Sequence, residues 1–215
     1  MRKIILSFRL FLLGAFFGTI SLGTPIHAAE TDMLKRVGSQ IERHHVVHAD
    51  FTQTKQMAAL KRPLITTGHL VFLREQGVLW RIEKPYRIAY LLSDEKIVEI
   101  AADGSRKERG QRDVPGLAQI GRVFHAMLGA QTDILHEYFN VSVEGNEKKW
   151  RITLTPRHPQ IAQFLTQLRL NGGQFVEQIR ILEAGGDTTQ IRFTNSRGSK
   201  IPSESDKRLF ERKPG

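Results

Sequence analysis

The chain has 215 residues, with 32 Lys and Arg against 22 Asp and Glu, a formal net charge of +10 and no cysteine. The missing thiols exclude disulfides, thiol catalysis, thiolate metal sites and a lipid-modified N-terminal cysteine. A chain of this length suits one domain with a sizeable core, and its cationic surplus favours encounters with acidic surfaces.

The N-terminal segment has the layout of a secretory signal peptide. Arg2 and Lys3 precede an apolar stretch over residues 10–22, Pro25 lies just beyond it, and Ala28 offers a small side chain for cleavage. The apolar stretch is shorter than the span of about 20 residues that crosses a bilayer. We therefore predict a cleaved signal over residues 1–28, with a retained anchor as the alternative, and a single exported domain over residues 29–215.

An amphipathic helix is the first element predicted after the signal. Thr31 and Asp32 offer a cap, and apolar residues follow at helical spacing. These residues are Met33, Leu34, Val37 and Ile41.

From His48 the apolar period changes to two, and Ala49, Phe51 and Gln53 share one face. The alternation returns over residues 78–82, 86–92, 139–143, 150–154, 176–181 and 189–193. Turn signals separate these segments, beginning with Gly68. We predict about ten or eleven half-buried antiparallel strands, in a sheet large enough to curl.

A second amphipathic helix is predicted within this sheet, over residues 116–130. Its apolar positions are Leu117, Ile120, Val123, Phe124, Met127 and Leu128. Two such helices would cover the concave face of a curved sheet, and the enclosed volume is either a filled core or an apolar ligand cavity. The tail from Ser196 is polar and basic, and Ile201, Leu209 and Phe210 are its available anchors.

Catalytic and metal-site patterns are weak. Ser93 and Lys96 match Ser-x-x-Lys, but they fall on a predicted hairpin turn without partner motifs. His44 and His48 have helical spacing but straddle a predicted change from helix to strand, which favours boundary histidines over ligands. We predict that the protein is not an enzyme and uses no cofactor or metal.

A basic cluster lies within the charged segment 105–112. Its members are Arg106, Lys107, Arg109 and Arg112. No aromatic residue is interleaved for base stacking, so nucleic acid is not expected. The cluster either docks on an acidic partner or anionic head group, or it forms a solvated hairpin.

Several segments, in order along the mature chain, resemble the periplasmic lipoprotein carrier family LolA. Phe51-Thr52-Gln53 resembles the opening strand, and residues 68–74 with Trp80 and Pro85-Tyr86 resemble the central strands. Residues 92–96 resemble a hairpin, residues 154–156 and 187–193 later strands, and residues 210–215 the family ending.

The resemblance implies a mostly β fold with helices (α+β): a strongly curved, incomplete antiparallel β-barrel of about eleven strands, with an α-helical lid over an apolar cavity. It implies a monomeric periplasmic carrier for the acyl chains of lipoproteins, with an inner-membrane exporter as donor and an outer-membrane acceptor. Arg74 matches the family arginine that bonds to the lid. The cavity and lid positions are then Arg74, Phe51, Phe72, Trp80, Tyr86, Tyr90, Leu117, Ile120, Phe124, Met127 and Leu128. From the residues alone, Trp80, Tyr86 and Tyr90 favour ordinary core over a cavity lining, because aromatic residues on alternating strands more often belong to the core.

The chain also departs from the family pattern. Glu75 stands where the family has Pro, Leu73 where it has a basic residue, and Glu95 where it has the hairpin Gly. These departures leave two alternatives open: a carrier for another lipid handled by a dedicated exporter, and a lipid-sensing regulator on the same fold.

Overall fold

Eleven antiparallel strands form one continuous sheet in the computed structural model, which describes residues 26–93, 96–109 and 132–211. The strands are β1 Val46–Gln56, β2 Leu64–Leu73, β3 Gly77–Lys84, β4 Ile88–Leu92, β5 Ile97–Ala101, β6 Arg106–Arg109, β7 Phe139–Asn146, β8 Lys149–Pro156, β9 Leu165–Gly172, β10 Val176–Glu183 and β11 Thr188–Ser199. The helices are α1 Ile26–Ile41, α2 Thr132–Tyr138, α3 Pro159–Ala162 and α4 Glu204–Phe210. Within these ranges, no helix is long and apolar enough to cross a membrane.

The strand order shows how the sheet is assembled. It reads β6-β5-β4-β3-β2-β1-β11-β10-β9-β8-β7, so two meanders meet where β1 pairs with β11. That pairing runs from Val46 opposite Ser199 to Gln56 opposite Thr188. The sheet is curved and open, with β6 and β7 at its edges, which confirms the predicted incomplete barrel of about eleven strands.

The two faces of the sheet carry separate apolar clusters. The inner cluster includes Ala49, Phe51 and Phe72, and α1 packs against it. The outer cluster includes Val71, Leu79 and Val98, and the far end of α4 packs against that side. Because successive side chains along a strand point to opposite faces, each strand contributes residues to both clusters.

The two ends of the sheet differ in what lies beyond the strands. We call the upper end the one where β1 begins at Val46 and β11 finishes at Ser199. The lower end is where β1 finishes at Gln56 and β2 begins at Leu64. The turn after α1 lies at the upper end, since His45 donates its backbone N–H to Ser199 O at 2.9 Å.

The structure corrects the predicted start of α1. The helix begins at Ile26 rather than at a cap formed by Thr31 and Asp32. The residues just before Thr31 include Ala28, Ala29 and Glu30, which are good helix formers, so nothing stops the helix there. The apolar positions that follow remain those that the sequence predicted.

Gly68 is not a turn residue, contrary to the prediction. It lies inside β2, where a Cβ atom would collide with the backbone carbonyl of Arg81 on β3. The strand pair has a register shift at this point, between Thr67 and Gly68. The glycine is therefore required by close approach of two backbones, not by a bend.

The C-terminal tail, for which the sequence offered three apolar anchors, forms the end of a strand and a helix. β11 continues to Ser199, and α4 follows it. Ser203 caps α4 by accepting from Asp206 N–H at 3.1 Å, while the Asp206 carboxylate accepts from Ser203 N–H at 2.9 Å. Leu209 and Phe210 anchor the helix on the outer cluster, whereas Ile201 is 79% exposed.

Candidate functional site

An aromatic group forms the centre of the inner face. The rings of Phe51 and Trp80 stack with centroids 3.8 Å apart, and Phe193 meets Trp80 edge-on at 6.2 Å. Phe72 lies in the same cluster and is almost fully buried. The sequence predicted Phe51, Phe72 and Trp80 as cavity residues, and the structure brings all three into one cluster.

Helix α1 covers this aromatic group. Met33, Leu34, Val37 and Ile41 are all buried in the inner cluster, and Val37 has no exposed surface. These four residues recur every three or four positions, so they form one stripe along the helix. α1 therefore occupies the concave side of the sheet and shields its apolar surface from water.

The apolar space left beneath α1 is small. A cavity of about 30 Å³ lies between Ile41 on α1 and the sheet residues Ala49, Leu70, Phe72 and Phe193. Pockets that hold small-molecule ligands usually have about 300–1,000 Å³. The inner face is apolar, but with α1 packed in its cluster this cavity is too small for an acyl chain.

Tyr86 and Tyr90 lie in different surroundings, although the sequence-based prediction assigned both to the cavity. Tyr90 lies on β4 opposite Trp80 and packs against the inner cluster. Burial, followed by the charge of Glu99, raises the pKa of Tyr90, so its phenol stays neutral at physiological pH. Tyr86 lies before β4 begins and is 58% exposed, so the structure does not bring it into the cluster.

Arg74 lies just beyond β2, at the upper end of the sheet. Its Nη2 donates to His44 O at 3.2 Å, and its backbone N–H donates to His45 O at 2.9 Å. Both acceptors belong to the turn that follows α1. The guanidinium therefore contacts the segment that connects the covering helix to the sheet.

Two further contacts hold the same region of α1. Arg36 Nε lies 3.0 Å from Glu147 Oε1 in the β7–β8 hairpin, and Gln40 Nε2 donates to Glu147 O at 3.2 Å. The His44 ring stacks on Phe175 with centroids 4.8 Å apart. Burial, with Arg43, Arg74 and Lys200 nearby, lowers the pKa of His44, so this ring is neutral at pH 7.

The other predicted lid positions lie outside the described residues. They are Leu117, Ile120, Phe124, Met127 and Leu128. Of the predicted docking cluster, Arg112 also lies outside, Arg106 and Lys107 are exposed on the edge strand β6, and Arg109 ends that strand.

Sequence reasoning missed the half of the inner face contributed by the second meander. Phe139, Trp150 and Ile179 are buried in the inner cluster, and Trp150 Nε1 donates to Gly173 O at 2.7 Å. Their alternation was visible, but it did not distinguish a cavity wall from ordinary core. The covering residues of α1 were likewise recognised as an apolar stripe without being assigned to the site.

Larger clefts lie on the outer face, and in one of about 500 Å³ apolar residues such as Leu79, Ile100 and Leu209 outnumber the charged ones. Another of about 530 Å³ is bordered by Asp50, His69 and Arg197. Asp50 accepts from Asn195 Nδ2 at 2.7 Å and also contacts His69, and these hydrogen bonds lower the pKa of Asp50. The lining of this second cleft suits ions and water rather than an acyl chain.

The predicted hairpin turn at Ser93 has no catalytic geometry in its described part. Ser93 Oγ donates to Lys96 O at 3.1 Å and accepts from Lys96 N–H at 3.3 Å. The Lys96 ammonium is instead 3.1 Å from Glu108 on β6. The hydroxyl and the ammonium therefore serve the turn and the strand edge.

Comparison with known proteins gives one match over most of the chain. Residues 27–198 match the family described as outer membrane lipoprotein carrier protein LolA-like. No curated protein matches the chain.

Solved structures with a similar fold are distant in sequence. A LolA superfamily protein from Nitrosomonas europaea is 9% identical, with 85% of this chain and 97% of that chain covered and a TM-score of 0.48. A putative outer membrane lipoprotein-sorting protein domain from Vibrio parahaemolyticus is 8% identical, with 85% and 99% covered and a TM-score of 0.41. The lipoprotein LppX of Mycobacterium tuberculosis is 11% identical, with 82% and 99% covered and a TM-score of 0.41. On the sequence match over residues 27–198, the chain belongs to the outer membrane lipoprotein carrier protein LolA-like family.

Proposed function

We propose that the protein carries acyl lipids through the periplasm, and that α1 occupies the acyl-chain site when no lipid is bound. The observation that carries this proposal is the burial of the apolar stripe of α1 in the inner cluster, where the cavity beside Ile41 has only about 30 Å³. Family membership supports a carrier of lipoprotein acyl chains, received from an inner-membrane exporter and delivered to an outer-membrane acceptor.

The exchange of α1 for lipid is energetically balanced. Burying a large aliphatic side chain contributes about 1.5–3 kcal/mol, and α1 buries four. An acyl chain contributes about 0.8 kcal/mol for each methylene removed from water. A chain of roughly 10–15 methylenes therefore contributes an amount of the same order as the helix it displaces. A carrier needs this balance, because a site that bound lipid much more tightly would not release it.

The upper-end contacts give the displaced helix a fixed point. The turn stays anchored because the His44 ring stacks on Phe175 and His45 N–H donates to Ser199 O, whereas the contacts of Arg36 with Glu147 and of Arg74 with His44 O break when the helix moves. We infer that the N-terminal part of α1 moves away from the sheet while the turn after Ile41 acts as the hinge. The apolar stripe then leaves the inner face, and the acyl chain takes its place.

A reversible crosslink tests whether α1 must move. Because the chain has no cysteine, Arg36→Cys with Glu147→Cys creates a single reactive pair across the 3.0 Å contact. A short thiol-cleavable crosslinker should abolish binding of a fluorescent fatty-acyl probe, and reduction should restore it. The matched control is Lys96→Cys with Glu108→Cys, a 3.1 Å contact at the sheet edge that does not involve α1.

The outcomes separate the alternatives. Loss of probe binding in the α1 crosslink alone supports exchange of helix for lipid. Equal probe binding in crosslinked and reduced samples would show that the site lies elsewhere. If the uncrosslinked protein neither binds the probe nor gains thermal stability with saturating lipid, the carrier function itself is wrong. A ligand at 100 times its dissociation constant should add about 2.7 kcal/mol of stability.

A further inference from the structure

Exposed apolar side chains are concentrated at the lower end of the sheet. Among the described residues, six large apolar side chains are exposed, and five of them lie at or just beyond the strand ends at this one end. The five are Leu60, Leu64, Ile65, Tyr86 and Phe164. The sixth, Ile201, lies at the upper end.

Three of the five belong to the β1–β2 hairpin, which projects beyond its neighbours. We call residues 57–65 the hairpin tip. On one side, β2 pairs with β3 only from Thr67 onward. On the other side, β1 pairs with β11 only as far as Gln56. The first three residues of β2 pair with β1 but have no partner on β3. At about 3.3 Å per residue, they extend the hairpin by about 10 Å past the pairing with β3.

The apolar side chains of the tip point in different directions. Leu64 lies opposite Lys55 and Ile65 opposite Thr54 in the hairpin. Successive strand residues face opposite sides, so Leu64 and Ile65 project from the two faces, and Leu60 lies in the connecting turn. They are 51%, 56% and 44% exposed, respectively. A flat protein surface would bury one face of such a tip, whereas lipid would surround both.

Positive charge accompanies the apolar tip. Lys61 and Arg62 lie between Leu60 and Leu64, and neither has an ion-pair partner within the described ranges. Lys84 and Arg87 are exposed on the adjacent turn between β3 and β4. Of the nearby carboxylates, Glu183 pairs with Lys55 at 2.8 Å.

Asp187 is the other carboxylate beside the tip, and it accepts a hydrogen bond from Ala58 N–H at 3.1 Å. The two acidic groups at the base of the tip are thus engaged in local contacts. The cations of the tip remain available to an external anion.

We propose that the hairpin tip inserts into anionic lipid membranes and docks the protein by its lower end. Apolar side chains flanked by Lys and Arg are the combination that binds the boundary between head groups and acyl chains. The cations add attraction to anionic head groups that salt screens within a Debye length. This inference goes beyond the proposed function, because docking by the tip requires no cargo.

Vesicle partitioning tests the docking surface. The processed protein, from Ala29 onward, is mixed with vesicles of phosphatidylcholine containing about 30 mol % phosphatidylglycerol. Wild-type protein should bind them, and Leu60→Ser with Leu64→Ser and Ile65→Ser should lower the partition constant about tenfold or more. The matched control is Ile201→Ser, an exposed aliphatic residue at the opposite end, which should bind as wild type.

The charge contribution has its own variant. Lys61→Gln with Arg62→Gln should weaken binding to these vesicles roughly tenfold at low salt, with little effect on vesicles of phosphatidylcholine alone. Raising the salt concentration should reduce the difference between the variant and the wild type.

Insertion depth distinguishes lipid from a protein partner. Relative to wild type, whose Trp80 and Trp150 give the baseline, Leu60→Trp should add fluorescence that brominated acyl chains quench, and the fluorescence added by Ile201→Trp should not be quenched. Absence of wild-type binding to anionic vesicles, or binding without quenching at position 60, would overturn the proposal and leave a protein partner for the tip. All tip variants should still bind the acyl probe, so failure here is distinct from failure of the carrier function.

Discussion

At the scale of single residues, Arg74 has the clearest predicted role. Its contact with His44 O stabilises the turn after α1, and with it the covered state of the inner face. A guanidinium suits this position because it stays charged and presents five donors. The carbonyls beyond a helix end lack helical partners, so they are natural acceptors for it.

Removing the Arg74 side chain should favour the lipid-bound state. Arg74→Leu should bind the acyl probe about three- to tenfold more tightly than wild type, because a charge-assisted hydrogen bond that favours the covered state is lost. Release of the probe to acceptor vesicles should slow by a similar factor. Stopped-flow transfer measures both steps. Arg151→Leu, on an exposed β8 arginine, is the control, and wild-type kinetics in Arg74→Leu would remove this residue from the mechanism.

Asp206 is the second residue with a definite physical role. Burial opposes its ionisation, but hydrogen bonds from the Ser203 side chain and backbone, with His48 beside it, outweigh burial and lower the pKa of Asp206. Its Oδ1 lies 3.0 Å from His48 Nε2 on β1. The carboxylate therefore links the start of α4 to the sheet.

The lowered pKa fixes the sign of a pH effect. A carboxyl with a depressed folded-state pKa stabilises the fold above its ordinary pKa of 3.8, and the stabilisation is lost as pH falls through the lower folded value. Asp206→Asn should lower the free energy of unfolding by about 1–2 kcal/mol at pH 7. Urea denaturation should show this difference shrinking below about pH 4. Glu204→Gln, exposed on the same helix, should show no comparable loss at pH 7.

At the scale of elements, the proposed function gives α1 two competing roles: it stabilises the lipid-free protein, and it obstructs the proposed lipid site. A substitution that weakens its packing should therefore change stability and affinity in opposite directions. Val37 is the best position to test, because it is fully buried and lies in the middle of the apolar stripe.

Val37→Ala should destabilise the lipid-free protein by about 1–3 kcal/mol, through lost burial and the cavity left behind. It should also strengthen acyl-probe binding several-fold, because less packing must be broken. The matched control is Val98→Ala, the same substitution at a 2% exposed position in the outer cluster. That control should lose stability without gaining affinity. A loss of affinity in Val37→Ala would mean that α1 helps to hold the lipid instead.

The elements also show what the sequence could and could not predict. Alternation predicted β1 and the inner positions Ala49 and Phe51, because a half-buried strand leaves a period of two. It could not predict α4, whose seven residues have only two large apolar side chains, Leu209 and Phe210. Nor could it interpret Gly68, because the close approach of Arg81 depends on the register in which β3 pairs with β2.

For the candidate site, prediction succeeded where the residues of one continuous segment were sufficient to identify the position. The family resemblance assigned Phe72 and Trp80 to the inner face, and the structure places both in the inner cluster. The position of Tyr86 depends on where β4 begins, two residues later, and local pattern does not fix strand ends to that accuracy. The contact between Arg36 and Glu147 joins two distant segments and has no sequence signature.

At the scale of the whole molecule, the two ends of the sheet divide the proposed tasks. The upper end holds α1 through polar contacts such as that of Arg74, and the lower end presents the hairpin tip to a membrane. The inner face joins the two ends. A carrier with this arrangement could approach a membrane with its lower end, while the contacts that hold α1 over the inner face remain in water at the upper end.

The strand order has a further consequence, for folding kinetics. Within the part of the chain that the structure describes, nine of the ten strand pairs join neighbours in the sequence, and only the β1–β11 pair joins the beginning of the domain to its end. Each meander can form by closing short loops one after another. The larger entropic cost of closing one very long loop therefore falls on the pairing of β1 with β11. Formation of this pair should therefore limit the folding rate. During synthesis the N-terminus of the chain emerges first. The pairing of β1 with β11 can therefore form only after residues 188–199 have been synthesised, and the sheet becomes continuous only at that stage.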